Sequence, residues 1–145
     1  MIYFDTSYLV RLYYGDPGFD AVRKLAATDN IASAWHGQAE MLAAFHRKLR
    51  EGAITSTRYA ALLGQFESDD RQRAFQWLPQ GRETLRRIAR VYAGLPSKVF
   101  LRAADALHLA VAAENGFRTV HSNDGRFLAA AKHFGLSGRD VIAES

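Results

Sequence analysis

The sequence predicts a single α/β domain, covering residues 1–145, in which a central parallel sheet is flanked by helices. Short runs of strand-forming apolar residues alternate with longer amphipathic segments along much of the chain. This order is typical of a parallel sheet with helices on both faces. A length of 145 residues suits one domain with a buried core, and 48% hydrophobic and 23% charged residues are typical of a soluble globular protein.

The N-terminal half begins with a predicted strand and a helix cap. Residues 2–4 are consecutive strand-forming residues, and residues 5–7 (Asp-Thr-Ser) can cap a helix over residues 8–14. The glycines and proline at 15–18 end that helix. The same reasoning predicts, in order, a helix at 19–27, a buried strand at 31–35, a helix at 38–50 that Gly52 ends, and a helix capped at 55–57.

The C-terminal half continues the alternation of strands and helices. An extended segment at residues 75–79 precedes a helix at 83–93, whose apolar residues share one face. The strongest predicted helix covers residues 102–115 and ends at Gly116. After it we expect a strand at 118–122, a helix at 124–134 that Gly135 ends, and a last short strand that includes Val141 and Ile142.

Composition excludes disulfide bonds and thiolate metal sites and indicates an anionic partner. The chain has no cysteine, which rules out disulfides and thiolate metal ligands and fits a cytoplasmic location. No run approaches the roughly 20 apolar residues of a membrane helix, and the first residues lack the basic leader of a signal peptide. The net charge of +4 comes mainly from arginine, which suits nucleic-acid phosphates. The alternative is a surface that happens to be basic.

Four acidic residues occupy positions that need a chemical reason. Asp5 and Asp124 each follow a predicted strand, so both belong to the rim where parallel sheets bind ligands. Glu40 and Asp105 lie in predicted helices among mostly apolar neighbours. Because burying an unpaired carboxylate costs several kcal/mol, and like charges raise that cost, we expect a compensating cation. Mg²⁺ or Mn²⁺ fits, since hard divalent ions prefer carboxylate oxygens.

Each of the four acids also has a structural interpretation. Asp5 and Asp124 are suitable N-caps, and Glu40 can complement a helix dipole. Arg102 stands three residues before Asp105 and can pair with it on a helix. The metal hypothesis therefore depends on the convergence of all four on one rim.

Three segments resemble the PIN domain family. They are Tyr3–Ser7, Arg102–Ala110 and Val120–Ala131. They occur in the family's order, with Glu40 between the first and the second, in a chain with the length of the VapC toxins. The resemblance implies an α/β/α sandwich with a central parallel sheet and a metal-dependent endoribonuclease site.

The resemblance also implies a role for each site residue. The acidic quartet that holds one or two Mg²⁺ or Mn²⁺ ions is matched by Asp5, Glu40, Asp105 and Asp124. Thr6 matches the hydroxyl residue beside the first acid, and Ser122 stands where relatives often have threonine. A bound metal would lower the pKa of a water that attacks the RNA phosphate. His108 shares a helical face with Asp105 and is either a site residue or a partly buried structural residue.

Family members usually work as homodimers and are silenced by an antitoxin whose C-terminal tail lies in the cleft. The resemblance therefore implies a homodimer, a VapB-type antitoxin and an RNA substrate such as tRNA or rRNA. The first helices offer an apolar docking groove, or else plain core packing, through Leu9, Leu12, Tyr13 and Tyr14.

Two groups of basic residues are candidates for binding RNA. Arg82, Arg86 and Arg90 form one stripe along a predicted helix, with Arg87 beside them. The stripe either tracks an RNA backbone or is a solvated face. A second basic group stands at residues 47–50.

Other enzyme classes fit less well. Haloacid-type phosphatases need Asp-x-Asp after the first strand, where this chain has Asp5, Thr6 and Ser7. Receiver domains need an adjacent acid pair and a late lysine after a strand, which are absent. Two alternatives stay open: a PIN fold that only binds RNA or protein, which the intact quartet argues against, and a DNA-directed or structure-specific nuclease.

Overall fold

The computed structural model describes all 145 residues and contains five parallel strands. These are β1 (Ile2–Phe4), β2 (Ile31–Ala34), β3 (Phe75–Leu78), β4 (Thr119–His121) and β5 (Ser137–Arg139). They pair in the order β3-β2-β1-β4-β5, and every pair is parallel. The predicted α/β class with a central parallel sheet is confirmed.

Helices cover both faces of the sheet. They are α1 (Thr6–Val10), α2 (Phe19–Ala26), α3 (Gly37–Arg50), α4 (Ser56–Arg71), α5 (Arg82–Gly94), α6 (Ala103–Glu114) and α7 (Gly125–Ala130), with a 3-10 helix at Ala131–Phe134. Because side chains alternate along a strand, neighbouring residues of β1 point to opposite faces of the sheet. Phe4 packs with apolar residues of α1 to α4, and Tyr3 packs with those of α6 and α7. The result is the expected α/β/α sandwich.

The strand order places the carboxyl ends of β1 and β4 side by side. The chain passes from β1 to β2 and β3 on one side, then crosses to β4 and β5 on the other. Such a reversal is a topological switch point, where open parallel sheets bind ligands. Asp5 directly follows β1 and Ser122 directly follows β4, so both lie at this point.

The last strand was predicted wrongly at Val141 and Ile142. β5 is instead Ser137–Arg139, whose three residues are exposed and pair with β4. An exposed edge strand is held by backbone hydrogen bonds and needs no apolar side chains, so its sequence carries no burial signal. Val141 and Ile142 lie in a C-terminal turn, half-buried against the face of α1 to α4.

The first helix is shorter than predicted, and its apolar residues have divided roles. α1 ends at Val10, and turns follow it. Leu9 and Tyr13 are buried core residues, whereas Leu12 and Tyr14 stay half-exposed. Core packing therefore accounts for two of the four residues of the expected docking groove. No helix of the structure has the length and apolar character needed to cross a membrane.

Candidate functional site

Asp5 is a buried carboxylate at the carboxyl end of β1. It caps α1, where Oδ1 accepts hydrogen bonds from the Ser7 hydroxyl at 2.7 Å and the Tyr8 amide at 3.2 Å. Oδ2 accepts a hydrogen bond from the Ser122 hydroxyl at 2.5 Å. Only 7% of Asp5 is exposed, and burial raises its pKa to about 6 in spite of these bonds. Its hydrogen-bond partners are all neutral, so no cationic side chain is bonded to it.

Asp105 and Asp124 are bridged by one arginine. Arg102 Nε donates to Asp105 Oδ2 at 3.2 Å, and Arg102 Nη2 donates to Asp124 Oδ2 at 2.6 Å. Asp124 also caps α7, and its own amide donates to the Ser122 hydroxyl at 2.9 Å. Burial raises the pKa of Asp105, although Arg102 opposes this. The pair that the sequence suggested between Arg102 and Asp105 is present and extends to Asp124.

Glu40 lies in the first turn of α3 and is held by two other elements. Its Oε1 accepts hydrogen bonds from Thr6 Oγ1 of α1 at 2.8 Å and from His108 Nε2 of α6 at 2.6 Å. Burial disfavours the ionised form, but the bonds from His108 and Thr6 outweigh it and lower the pKa of Glu40. Because Thr6 directly follows Asp5, the contact joins Glu40 to the rim at β1.

A buried tyrosine and histidine stand behind Glu40. His108 is 1% exposed and lies one turn after Asp105 on α6. The Tyr3 hydroxyl is 2.8 Å from His108 Nδ1. Nε2 of the same ring lies on Glu40, so His108 links the carboxylate to the tyrosine hydroxyl. His108 thus contacts a predicted site residue, and Tyr3 carries a polar contact that its strand sequence did not indicate.

His36 is a further candidate that the sequence reasoning missed. Its ring packs against His108 at a tilt of 53°, with 4.3 Å between centroids. Its Nε2 lies 3.4 Å from Glu40 Oε1 and 3.0 Å from the Ala104 carbonyl. His36, Glu40 and His108 form the one group of three metal-ligating side chains whose donor atoms lie within 4.8 Å of one another. Burial lowers the pKa of His36, which keeps the imidazole neutral. The i, i+4 spacing of His36 and Glu40 was the available signal.

The four predicted acids belong to two hydrogen-bond networks, and their oxygens do not form a compact cage. Ser122 and Arg102 connect Asp5, Asp124 and Asp105. Thr6 and His108 bind Glu40 in a separate network, which adjoins the first because Thr6 directly follows Asp5. Two oxygens make no hydrogen bond and are free for a ligand, Oε2 of Glu40 and Oδ1 of Asp105. This carboxylate-rich donor set suits Mg²⁺ or Mn²⁺, and such a cation would neutralise the buried charge of Asp5, to which no cationic side chain is bonded.

The PIN domain family profile matches residues 2–133. No curated protein matches the sequence. Three similar solved structures agree in fold. FitAcB from Neisseria gonorrhoeae has a TM-score of 0.78 at 15% identity, covering 97% of this chain and 98% of its own. VapC20 of Mycobacterium tuberculosis, described as a Sarcin-Ricin loop cleaving toxin, has a TM-score of 0.68 at 18% identity, covering 90% of this chain and 95% of its own. VapBC2 from Rickettsia felis, bound to a promoter DNA fragment, has a TM-score of 0.64 at 14% identity, covering 97% of this chain and 98% of its own.

The family match spans most of the chain and includes all four acids. The sheet order, the site at the switch point and the fold of the similar structures agree with it. The chain belongs to the PIN domain family, as the three sequence segments indicated.

Proposed function

We propose that the protein is a Mg²⁺- or Mn²⁺-dependent endoribonuclease and the toxin of a toxin–antitoxin pair. The observation that carries the proposal is the state of Asp5, a buried carboxylate with only neutral partners at the switch point. Asp105 and Asp124 lie in the same network, and Glu40 is bonded to Thr6, the residue that follows Asp5. A buried charge without a counter-ion is costly, and a divalent cation would compensate it. The similar fold of VapC20, described as a toxin, supports the assignment.

The metal, held by Asp5, Glu40, Asp105 and Asp124, would lower the pKa of a water and stabilise charge on the cleaved phosphate. The chain's own residues prepare this site. Ser122 and Ser7 orient Asp5, while Thr6 and His108 orient Glu40 with one oxygen left free. Arg102 reduces the repulsion between Asp105 and Asp124, and its planar guanidinium is suited to a phosphate of the substrate.

The partners belong to the same proposal. The substrate is RNA, with tRNA or rRNA as the first candidates, because the similar VapC20 is described as cleaving the Sarcin-Ricin loop. We further propose a cytoplasmic homodimer that a VapB-type antitoxin inhibits. An antitoxin arginine could compete with metal for the carboxylates, as Arg102 pairs with two of them here.

Cleavage of purified tRNA and rRNA, with DNA of matched sequence, tests the function. We expect the wild type to cut RNA at discrete positions with Mg²⁺ or Mn²⁺ and not with EDTA. Asp105→Asn should lower the rate by 100-fold or more (about 3 kcal/mol of barrier) because it removes a ligand charge. Asp20→Asn, at an exposed acid outside the site, is the matched control and should cut normally.

Three results would contradict the proposal. Cleavage of DNA but not RNA would identify the protein as a DNA-directed nuclease. Equal cleavage by the wild type and by Asp105→Asn would mean that the acids are not the site. No cleavage by folded, antitoxin-free protein under any condition would favour a binding module.

A further inference from the structure

A basic groove begins beside Asp124 and leads away from the site. Its near half lies between α7 and the segment before α6. Lys98 and Phe100 line one side, and Arg126 and Lys132 line the other. Gly125, which directly follows Asp124, forms the end closest to the acids. The near half therefore adjoins the proposed catalytic site.

The far half of the groove lies between α5 and the 3-10 helix. Arg87 and Arg90 line it, together with His133. His133 also lines the near half, so the two halves meet at this residue. Arg82 and Arg86 of the same helix lie outside it, and Arg86 pairs with Glu83. Only part of the predicted arginine stripe thus faces this surface.

The charges of the groove have no acidic partner within it. No acidic side chain lines either half. Because nothing acidic offsets them, the cationic side chains give this surface a positive potential that attracts polyanions. The chemistry is that of a binding site for a chain of phosphates.

An exposed aromatic ring lies within this cationic surface. Phe100 is 56% exposed, and the Arg126 guanidinium lies 4.7 Å from its ring centroid. Exposed aromatic side chains among cations are the usual platform for unpaired bases, because every base can stack on them.

We propose that the basic groove binds the single-stranded RNA next to the cleaved phosphate. Phe100 stacks on an unpaired base, and Lys98, Arg126 and Lys132 contact the adjoining phosphates. The far half, with Arg87, Arg90 and His133, follows the strand onward. This inference rests on the proposed ribonuclease function and identifies the form of its substrate.

The test measures RNA binding in the Asp105→Asn protein with EDTA, so that cleavage does not interfere. Fluorescence anisotropy of a short labelled single-stranded RNA of mixed sequence gives Kd at several salt concentrations. Phe100→Ala should weaken binding by about ten-fold, because it removes the ring on which a base stacks. The double substitution of Lys98→Ala with Lys132→Ala should make log Kd depend less steeply on log salt concentration. The slope should fall by about 0.7 for each phosphate that is no longer neutralised.

The matched control removes two arginines outside the groove, Arg82→Ala with Arg86→Ala. It removes the same formal charge as the lysine pair, so its Kd and salt dependence should stay near those of the parent. Duplex RNA provides a second control, because its paired bases cannot stack on Phe100. Circular dichroism melting checks that each exposed substitution leaves the protein folded.

The two proposals fail separately. Equal Kd values for parent, groove variants and control would overturn the groove, whatever the wild type cleaves. An equal effect of Phe100→Ala on duplex and single strand would overturn the stacking. Unchanged RNA binding with weakened binding of a polyglutamate peptide would assign the groove to an acidic protein partner instead. If the wild type cleaves no RNA while the groove variants bind it more weakly, the groove stands and the nuclease function fails.

Discussion

Single residues of the site differ in how their charge is balanced. Asp5 is buried with neutral partners, and its pKa is raised to about 6. Glu40 accepts hydrogen bonds from His108 and Thr6, and its pKa is lowered. Asp105 is half-buried beside Arg102. In the metal-free protein Asp5 is therefore the acid whose ionisation most opposes folding.

Asp5→Asn should become more stabilising, relative to the wild type, as the pH rises. The pKa of Asp5 in the folded protein is about 6, above its ordinary value of 3.8. The folded protein therefore holds the proton that the unfolded chain releases between these values, and wild-type stability falls as the pH rises through them. The full effect is about 3 kcal/mol and is reached above about pH 7. Asparagine keeps the cap on α1 without the charge.

Urea unfolding of both proteins in EDTA, from about pH 4 to about pH 8, measures this difference. Asp20→Asn replaces an exposed carboxylate and should show no comparable growth of stability with pH. If the stability curves of Asp5→Asn and the wild type run parallel, the charge of Asp5 does not strain the fold.

The acids were predictable from their local context, whereas their supporting residues were not. Asp5 and Asp124 follow strands, and Asp105 interrupts an apolar helix, so short segments were enough to single them out. The contact of Tyr3 with His108 joins residues 105 positions apart. Such contacts depend on the packing of α6 against the sheet and leave no periodic signal.

Most elements were predictable because their side chains are buried on one face or at the centre. β1 and β2 are short apolar runs, and α3 and α5 carry apolar residues at helical spacing. β5 was missed because its residues are exposed and its pairing to β4 is a backbone interaction. The C-terminal turn at residues 141–144 was mistaken for that strand, since Val141 and Ile142 pack against the core.

Gly18→Ala should destabilise the fold by about 2–4 kcal/mol. Gly18 precedes α2 with φ +84°, and a Cβ at this position would overlap the side chain of Ile142. Both the positive φ and the overpacking against the C-terminal turn contribute. Gly64→Ala is the matched control, because it lies inside α4 with nothing within 4 Å of the added Cβ.

The control should stabilise the protein by about 0.5–1 kcal/mol, because alanine is the better helix former. Chemical denaturation of both variants gives the two free energies. Similar values for the two substitutions would show that the C-terminal turn does not pack closely on the start of α2.

The whole molecule brings its acids together by topology. The helices of the two faces pack on opposite sides of the sheet, and the site forms at the edge where both layers meet the switch point. Glu40 comes from the α3 layer and Asp105 from the α6 layer, while Asp5 and Asp124 follow adjacent strands. A ligand that binds all four would join both layers to the sheet and stabilise the entire fold.

Mn²⁺ or Mg²⁺ should accordingly raise the melting temperature of the wild type. At a concentration about 100-fold above Kd, binding to the folded state contributes about 2.7 kcal/mol, which corresponds to about 5–10 °C for a chain of this size. Asp105→Asn should show a much smaller rise because it removes one ligand charge, while Asp20→Asn should match the wild type. Differential scanning fluorimetry with metal and with EDTA measures all three. An equal rise in Asp105→Asn would place the bound cation elsewhere, since only binding that involves Asp105 is weakened by this substitution.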